Sequence, residues 1–267
     1  IRPEMTPTIS SMVAAQRQEL GYPLRWYSIP NLWSYERPQR GRLREHWQLN
    51  VDIFGVANTE AELEIVSLVD SMFKEFGASR DMYEIKLNSR KLMDYALGTY
   101  LGLSAKEAHD VAKLIDRKAK LKPNDFIAKL DETCTPTSRE LGVVEKLLQL
   151  LDVKELKKLP TELKNQPSVT ELQAMLEQLQ ATGVTNVVFD ITLMRGFDYY
   201  TDIVFEVFDK HPDNNRSMLG GGRYDGLVAL FGVEPVPTVG FGWGDVTLAN
   251  FLELHRLMPA LPTETEV

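Results

Sequence analysis

An α+β fold, built on a largely antiparallel sheet with a helical insertion, is predicted by three features of this 267-residue sequence. Segments alternating apolar and polar residues occupy the two ends of the chain, and a block of short helical patterns from about 90 to 181 separates them. The strand segments are joined by hairpin-like turns, whereas a doubly wound parallel sheet alternates strand and helix throughout.

The elements follow in order. "LRWYSIPNLW" reads as a strand, "RPQRGRLRE" as a hairpin tip and "HWQLNVDIF" (46 to 54) as the returning strand. Residues 59 to 77 place Ile65, Val66, Val69, Met72, Phe73 and Phe76 at helical spacing, with a Thr59/Glu62 capping box before them and Gly77 after. "YEIKLNS" (83 to 89) is a strand by its alternation. Helices then follow: "SAKEAHDVAKLIDRKA" with a Ser104/Glu107 capping box, "TSRELGVVEKLLQLLDVKELKKL" and "SVTELQAMLEQLQATG". Strands return in "TNVVFDI" and "TDIVFEVF", and after the turn "DKHPDNNRS" come "MLGGGRYDGLVALFG" and "TVGFGWGDVTLANFLELH", the last passing from strand through glycines into helix. The expected division is a core part at 1–89, an insertion at 90–181, a second core part at 182–257 and a proline-rich linker at 258–267.

Composition narrows the function. A net charge of -8 argues against wrapping a nucleic-acid backbone over a broad surface, while leaving room for a local anion site. The single cysteine, Cys134, points to a reducing, cytoplasmic setting, and the sequence contains neither a signal peptide nor an apolar stretch of about 20 residues able to span a membrane. His46, His109, His211 and His255 lack metal-ligand spacing, so no protein-bound metal is expected, although a nucleotide can bring its own. The chain starts on "IRPEMTPTIS" without an initiator methionine and is read as a fragment.

Within residues 46 to 54, His46, Gln48, Asn50 and Asp52 share one strand face, with Gln48 and Asp52 about 13 Å apart at about 3.3 Å per residue. That face is either solvated or the floor of a ligand cleft. The preceding tip carries Arg37, Arg40, Arg42 and Arg44, a concentration suited to phosphate, unless solvent or Glu36 and Glu45 neutralise it. In "LMRGFDYYTDIVFEVF", Arg195 interrupts an apolar run and needs a partner if buried, while Tyr199 and Tyr200 are core or site aromatics. "GGGRYDG" (220 to 226) and "GFGWG" (240 to 244) lack P-loop and dinucleotide spacing, which leaves tight turns or close backbone packing as their simpler explanation. No nucleophile triad stands out.

Together these segments resemble the catalytic domain of histidyl-tRNA synthetase, a class II aminoacyl-tRNA synthetase. "RPEMTPT" is similar to the segment that receives the substrate amino group, and "YERPQRGRLREHWQLNVDIFG" to the motif 2 hairpin. "LMRGFDYYTDIVFE" and "GGGRYDGL" are similar to the two histidine signatures, and "GFGWGDVTLANFLE" stands in the place of motif 3. The resemblance implies a six- or seven-stranded antiparallel sheet with histidine and ATP, the latter carrying Mg2+, on its open face, and an insertion that approaches the acceptor stem of tRNA(His). It assigns Glu4, Thr6, Gln48, Asp52, Tyr199 and Tyr200 to the histidine pocket, Asp52 standing where many members have glutamate. Glu36 and Arg42 match ATP contacts of motif 2, and Arg195 matches the arginine at the α-phosphate; Arg195 and Arg42 are the expected catalytic pair.

Departures from the family accompany these matches. Ser34 replaces a motif 2 arginine, and Thr247 and Ala249 occupy the start of the motif 3 helix where another arginine is usual. Trp243 replaces a smaller residue near the expected adenine site. Each such arginine contact is worth about 1.5 to 3 kcal/mol, so the alternative to an enzyme is a catalytically impaired or engineered module that binds histidine or a small ligand, as a regulatory paralogue does. Motif 1 and the anticodon-binding domain are expected to lie outside the sequence, so neither the usual homodimer nor recognition of a whole tRNA is expected of it.

Overall fold

The computed structural model describes residues 1–35, 41–194, 199–214 and 216–260. After helix α1 (Thr6–Gln16) come strands β1 (Leu24–Ser28), β2 (Asn31–Trp33) and β3 (Glu45–Phe54), then helix α2 (Glu60–Glu75) and strand β4 (Tyr83–Ser89). The stretch between β4 and β5 is helical throughout: α3 (Arg90–Tyr95) runs into a π-helical turn at Ala96–Tyr100, followed by α4 (Ala105–Asp116), α5 (Pro123–Thr133), α6 (Pro136–Glu140), α7 (Val143–Leu151), α8 (Thr161–Lys164) and α9 (Pro167–Ala181). Strands β5 (Val187–Phe189), β6 (Ile203–Asp209), β7 (Ser217–Arg223) and β8 (Thr238–Gly244) lead into α10 (Asp245–Leu254).

The strands form one sheet in the order β1-β3-β8-β7-β6-β4-β5, with β2 also on β3. Among the described residues every pairing is antiparallel except β4 with β5. β1 and β2 are one strand in register, Ser28 opposite Asn50 and Asn31 opposite Trp47, interrupted at Ile29-Pro30. Proline has no N–H for the ladder, yet its carbonyl still accepts from Gln48 at 3.2 Å.

One face of the sheet is dry. Ile65, Val66, Val69 and Phe73 of α2 press on Leu219, Val239, Phe241 and Trp243, and Phe73 stacks between Tyr83 (4.2 Å between centroids) and Trp243 (4.6 Å). The helical stretch joins the same core through α9, whose Leu172, Met175 and Leu179 are fully buried. On the other side of the sheet, Met5, just before α1, and Ile9 and Val13 of α1 pack with Leu24, Phe54, Val228 and Val236, which anchors the N-terminal segment beside the sheet.

Two capping boxes were expected and one forms. At α4, Ser104 and Glu107 exchange both hydrogen bonds, and Glu107 also accepts from Thr135 N (3.0 Å) and Ser138 Oγ (2.8 Å), joining α4 to α6. These bonds, led by that from Thr135, hold the Glu107 carboxyl down at about 2. At α2, Thr59 makes no side-chain cap, and Asn58 Oδ1 accepts the Glu60 N–H instead at 3.3 Å. Glu62 is drawn away by a stronger partner. It is 1% exposed and pairs fork to fork with Arg223, Nε to Oε1 at 2.6 Å and Nη2 to Oε2 at 2.7 Å. Arg223 Nη1 also donates to Val56 O (3.0 Å) and Asp225 Oδ1 (3.1 Å), and Nη2 to Asn58 O (2.9 Å). All five guanidinium N–H groups therefore have an acceptor.

Removing one partner of such a pair leaves a buried charge uncompensated, so Arg223→Met should lower unfolding free energy by about 3 to 5 kcal/mol in urea titrations, and the double variant Glu62→Leu/Arg223→Met should recover most of it. Glu107 should contribute stability above its unfolded pKa of 4.5 that disappears as the pH falls toward about 2; urea midpoints of Glu107→Gln should show a flatter slope across that window than those of the parent.

Candidate functional site

The open face of the sheet carries a cavity of about 680 Å³. Its floor follows from register. Asn50 lies opposite Gly242, Gly242 opposite Gly220, and Gly220 opposite Glu206, so one row crosses four strands with side chains only at its ends. At about 4.8 Å between strands, the bare interval from Asn50 to Glu206 is about 14 Å wide. A second row runs Asp52, Gly240, Gly222, Val204. The alternate residues of β8, Phe241 and Trp243, point into the core beneath, so the glycine pattern is a smooth floor above and a packed layer below.

The polar face of β3 is the cleft floor rather than a solvated surface: His46, Gln48 and Asn50 all line the cavity. The glycines make room for them, since a Cβ at Gly242 would sit 3.0 Å from the Gln48 carboxamide carbon. At one end of the cavity, Tyr199, Tyr200 and Tyr224 form a cluster with ring centroids 4.9 to 6.3 Å apart. Glu4 and Thr6, brought in by α1, close that end. Burial pushes the Glu4 carboxyl up, and a hydrogen bond with Tyr199 opposes the shift. Ser34 and Arg42 enter from the hairpin, and Thr247 from the start of α10.

Glu4, Thr6, Arg42, Gln48, Tyr199 and Tyr200 are thus gathered in one cavity, as expected. Asp52 is not among the residues lining it. It is 3% exposed and accepts a hydrogen bond from the Tyr224 hydroxyl, which does reach the cavity. A Cβ on Gly240 would collide with Asp52 Oδ1 and lie 2.6 Å from the Tyr224 hydroxyl, so the pair exists because residue 240 has no side chain. Desolvation pushes the Asp52 carboxyl up to about 7 despite the Tyr224 hydrogen bond.

Trp243 also differs from expectation. It lines no part of the cavity: it faces the core, 3% exposed, between Phe73 and Phe76. The Thr247 hydroxyl lies 2.7 Å from Met218 O and 2.9 Å from Gly244 O, and Ala249 lines no part of the cavity. Glu36 and Arg195 lie outside the described residues. Tyr224 and Glu206 also line the cavity, though the motif matching gave neither a role. The second had a visible signal, an acid in the otherwise apolar "IVFEVF" on the phase that faces away from the core.

Among solved structures, histidyl-tRNA synthetase from Nostoc sp. PCC 7120 superposes with a TM-score of 0.82 at 20% identity, over 98% of this chain and 62% of that one. A Bacillus halodurans protein described as an ATP phosphoribosyltransferase regulatory subunit/histidyl-tRNA synthetase does so with a TM-score of 0.76 at 24% identity, over 95% and 64%. The chain therefore shares their fold, a mostly antiparallel sheet flanked by helices. In sequence, the family model for histidyl-tRNA synthetase matches residues 1–244. Histidine-tRNA ligase from Leptospira biflexa is 43% identical over 268 aligned residues, all of this chain and 61% of that protein, and the Thermoplasma volcanium ligase is 36% identical over 94% of this chain and 58% of its own length. The chain belongs to the histidyl-tRNA synthetase family, and it spans 61% of the length of its Leptospira biflexa relative.

The buried Asp52 carboxyl sets a pH signature. Between 3.8 and about 7 the folded protein retains a proton that the unfolded chain has released, so this group subtracts stability progressively as pH rises through that window and no further above it. Asp52→Asn should therefore gain stability relative to the parent between about pH 5 and about pH 8, read as the difference in urea midpoints at the two values.

Proposed function

We propose that this chain is the catalytic core of a histidyl-tRNA synthetase, activating histidine with ATP to histidyl-adenylate for transfer to tRNA(His). The observation that carries the reading is one cavity in which Glu4, Thr6, Gln48, Tyr199 and Tyr200 meet Arg42 across a floor of glycines. The carboxylate of histidine attacks the α-phosphate of ATP, the α-phosphate to β-oxygen bond breaks, and pyrophosphate leaves. The amino acid supplies its own nucleophile, so the protein's work is alignment and stabilisation of charge developing on phosphate oxygens.

In this reading Glu4 receives the α-ammonium of histidine, with Tyr199 holding the carboxylate in place. Gln48 and Tyr200 border the substrate, and the imidazole meets the Tyr224 hydroxyl, itself oriented by Asp52. The nucleotide lies on the glycine floor with Arg42 toward its phosphates. Arg195 acts as the second cation at the α-phosphate and Glu36 as a further ATP contact, both by family resemblance. Magnesium arrives bound to ATP as part of the substrate; among the described residues no cluster of three His, Cys, Asp or Glu side chains is poised to hold a metal. The helices between about 90 and 181 serve as an insertion domain facing the tRNA acceptor end. The setting is the cytoplasm; none of the described helices is long and apolar enough to cross a membrane.

A second reading, a module that binds histidine without activating it efficiently, draws on two positions. Ser34 lines the cavity where the family carries an arginine, and the Thr247 hydroxyl is turned to backbone carbonyls. The two readings separate in one pair of measurements. Histidine-dependent exchange of pyrophosphate into ATP supports the enzyme, and histidine binding by calorimetry with no exchange overturns it. In the active chain, Arg42→Ala should lower kcat/KM for exchange by about ten- to a hundredfold, the equivalent of one charge-assisted hydrogen bond.

A further inference from the structure

The row of the sheet that begins at Asp52 and crosses Gly240, Gly222 and Val204 ends on Asn88 of β4. Asn88 shares the phase of the cavity floor, yet it is fully buried and lines no part of the cavity. We propose that it is a positioning residue for histidine, holding the stretch after β5 so that the tyrosine cluster stands where the substrate meets it. The proposal rests on the histidine-binding reading above and extends it to a residue outside the matched motifs.

The stretch concerned, residues 190–194, leaves the sheet at the end of β5 and turns on itself. Asp190 shapes the turn. Its side chain accepts from Thr192 N at 3.0 Å and from the Thr192 hydroxyl at 2.6 Å, and its carbonyl accepts from Leu193 N at 3.0 Å. The carbonyls that follow are met from β4 and the start of α3. Asn88 Nδ2 donates to Ile191 O at 3.1 Å and to Leu193 O at 2.9 Å, and Arg90 Nη1 donates to Met194 O at 3.1 Å. Lys86, two residues before Asn88, pairs with Asp190 at 2.8 Å. Every second residue from Lys86 to Arg90 therefore grips this stretch, because a strand repeats its direction every two residues.

Leu193 carries the constraint to the site. Its carbonyl is fixed by Asn88, while its side chain packs with Tyr200 and Tyr224 and Tyr199 lies against the same cluster. All three tyrosines line the cavity. The far flank of the tyrosine pair is held from the same place, since Asp202 O accepts from Arg90 N at 2.9 Å and Asp202 Oδ1 accepts from Ser89 Oγ at 3.0 Å. The Asn88 carboxamide is committed wholly to this task. Both of its N–H groups are used, and among the described residues its buried Oδ1 has no partner. The reverse orientation would set that oxygen against two carbonyls.

The test uses the full chain, with histidine titrated calorimetrically and both substrates varied in the pyrophosphate exchange assay. Asn88→Leu, close in volume, should raise the Kd and KM for histidine about ten- to a hundredfold while the KM for ATP stays within about twofold. Asn88→Ser, which keeps one donor, should show the same selectivity at a smaller fold-change and carries the test if Asn88→Leu does not fold. Asn186→Ala is the control for lost stability alone: Asn186 Nδ2 donates to Tyr83 O at 3.2 Å and its Oδ1 is likewise buried without a partner among the described residues, but at the far end of β4. It should lower the urea midpoint and leave both KM values within about twofold. Unchanged histidine affinity in a folded Asn88 variant, an equal rise in both KM values, or the same histidine loss in Asn186→Ala overturns the proposal and leaves the enzyme reading standing. A parent that binds histidine without exchange overturns the enzyme reading, and calorimetry then decides on Asn88: weaker histidine binding in Asn88→Leu but not in Asn186→Ala supports its role, and any other result overturns it. A parent that neither exchanges nor binds histidine overturns both.

Discussion

The buried fork between Arg223 and Glu62 is the constraint on which the site depends. It ties the first turn of α2 to the last residue of β7, and the Arg223 carbonyl also accepts the Thr201 N–H at 2.8 Å. On either side of that junction stand Tyr224, next in sequence, and Tyr200, next to Thr201, and both line the cavity. Two charges removed from water in this way gain little net stability over an apolar pair of the same volume. What they do is fix position, because five donors with five acceptors admit one placement of the β7 end.

From that fixed end the two faces of the sheet diverge. Below, β7 and β8 contribute Leu219, Phe241 and Trp243 to a layer clamped by Phe73, where each side chain is held by contact with its neighbours. Above, the same strands present Gly220, Gly240 and Gly242, and side chains reach the cavity from β3, from Glu206 of β6, from the tyrosines, from Arg42 of the hairpin and from the N-terminal segment. Burial beneath supplies the rigidity that a bare backbone surface cannot supply for itself.

Much of this was legible in the residues. The period of two in "HWQLNVDIF" set the face that became the cavity floor, and the Ser104/Glu107 spacing gave a real cap, because both depend on local geometry alone. The family motifs pointed to residues that the fold gathers in one cavity, because each motif keeps its polar groups in a short stretch. What escaped depends on partners distant in sequence. Glu62 follows Thr59 at capping distance, yet a guanidinium 161 positions away outcompetes a backbone N–H. Trp243 alternates with the floor glycines, so its side was decided by the phase of β8 and the presence of Phe73, neither visible from the motif. Asp52 shares the polar face of β3, but a tyrosine hydroxyl from the far side of the glycine column reaches it first.

A floor made of peptide groups reads shape and not identity. Inside the sheet, the N–H and C=O groups of Gly220, Gly240 and Gly242 belong to the ladders with neighbouring strands, so they have no directional bond left for a ligand lying across them. Such a surface attracts any thin, flat molecule through dispersion, one planar ring as readily as another. Discrimination among planar ligands is consequently a property of the rim, where replaceable side chains stand, and a lineage can alter what the cleft prefers without touching the strands that make it flat.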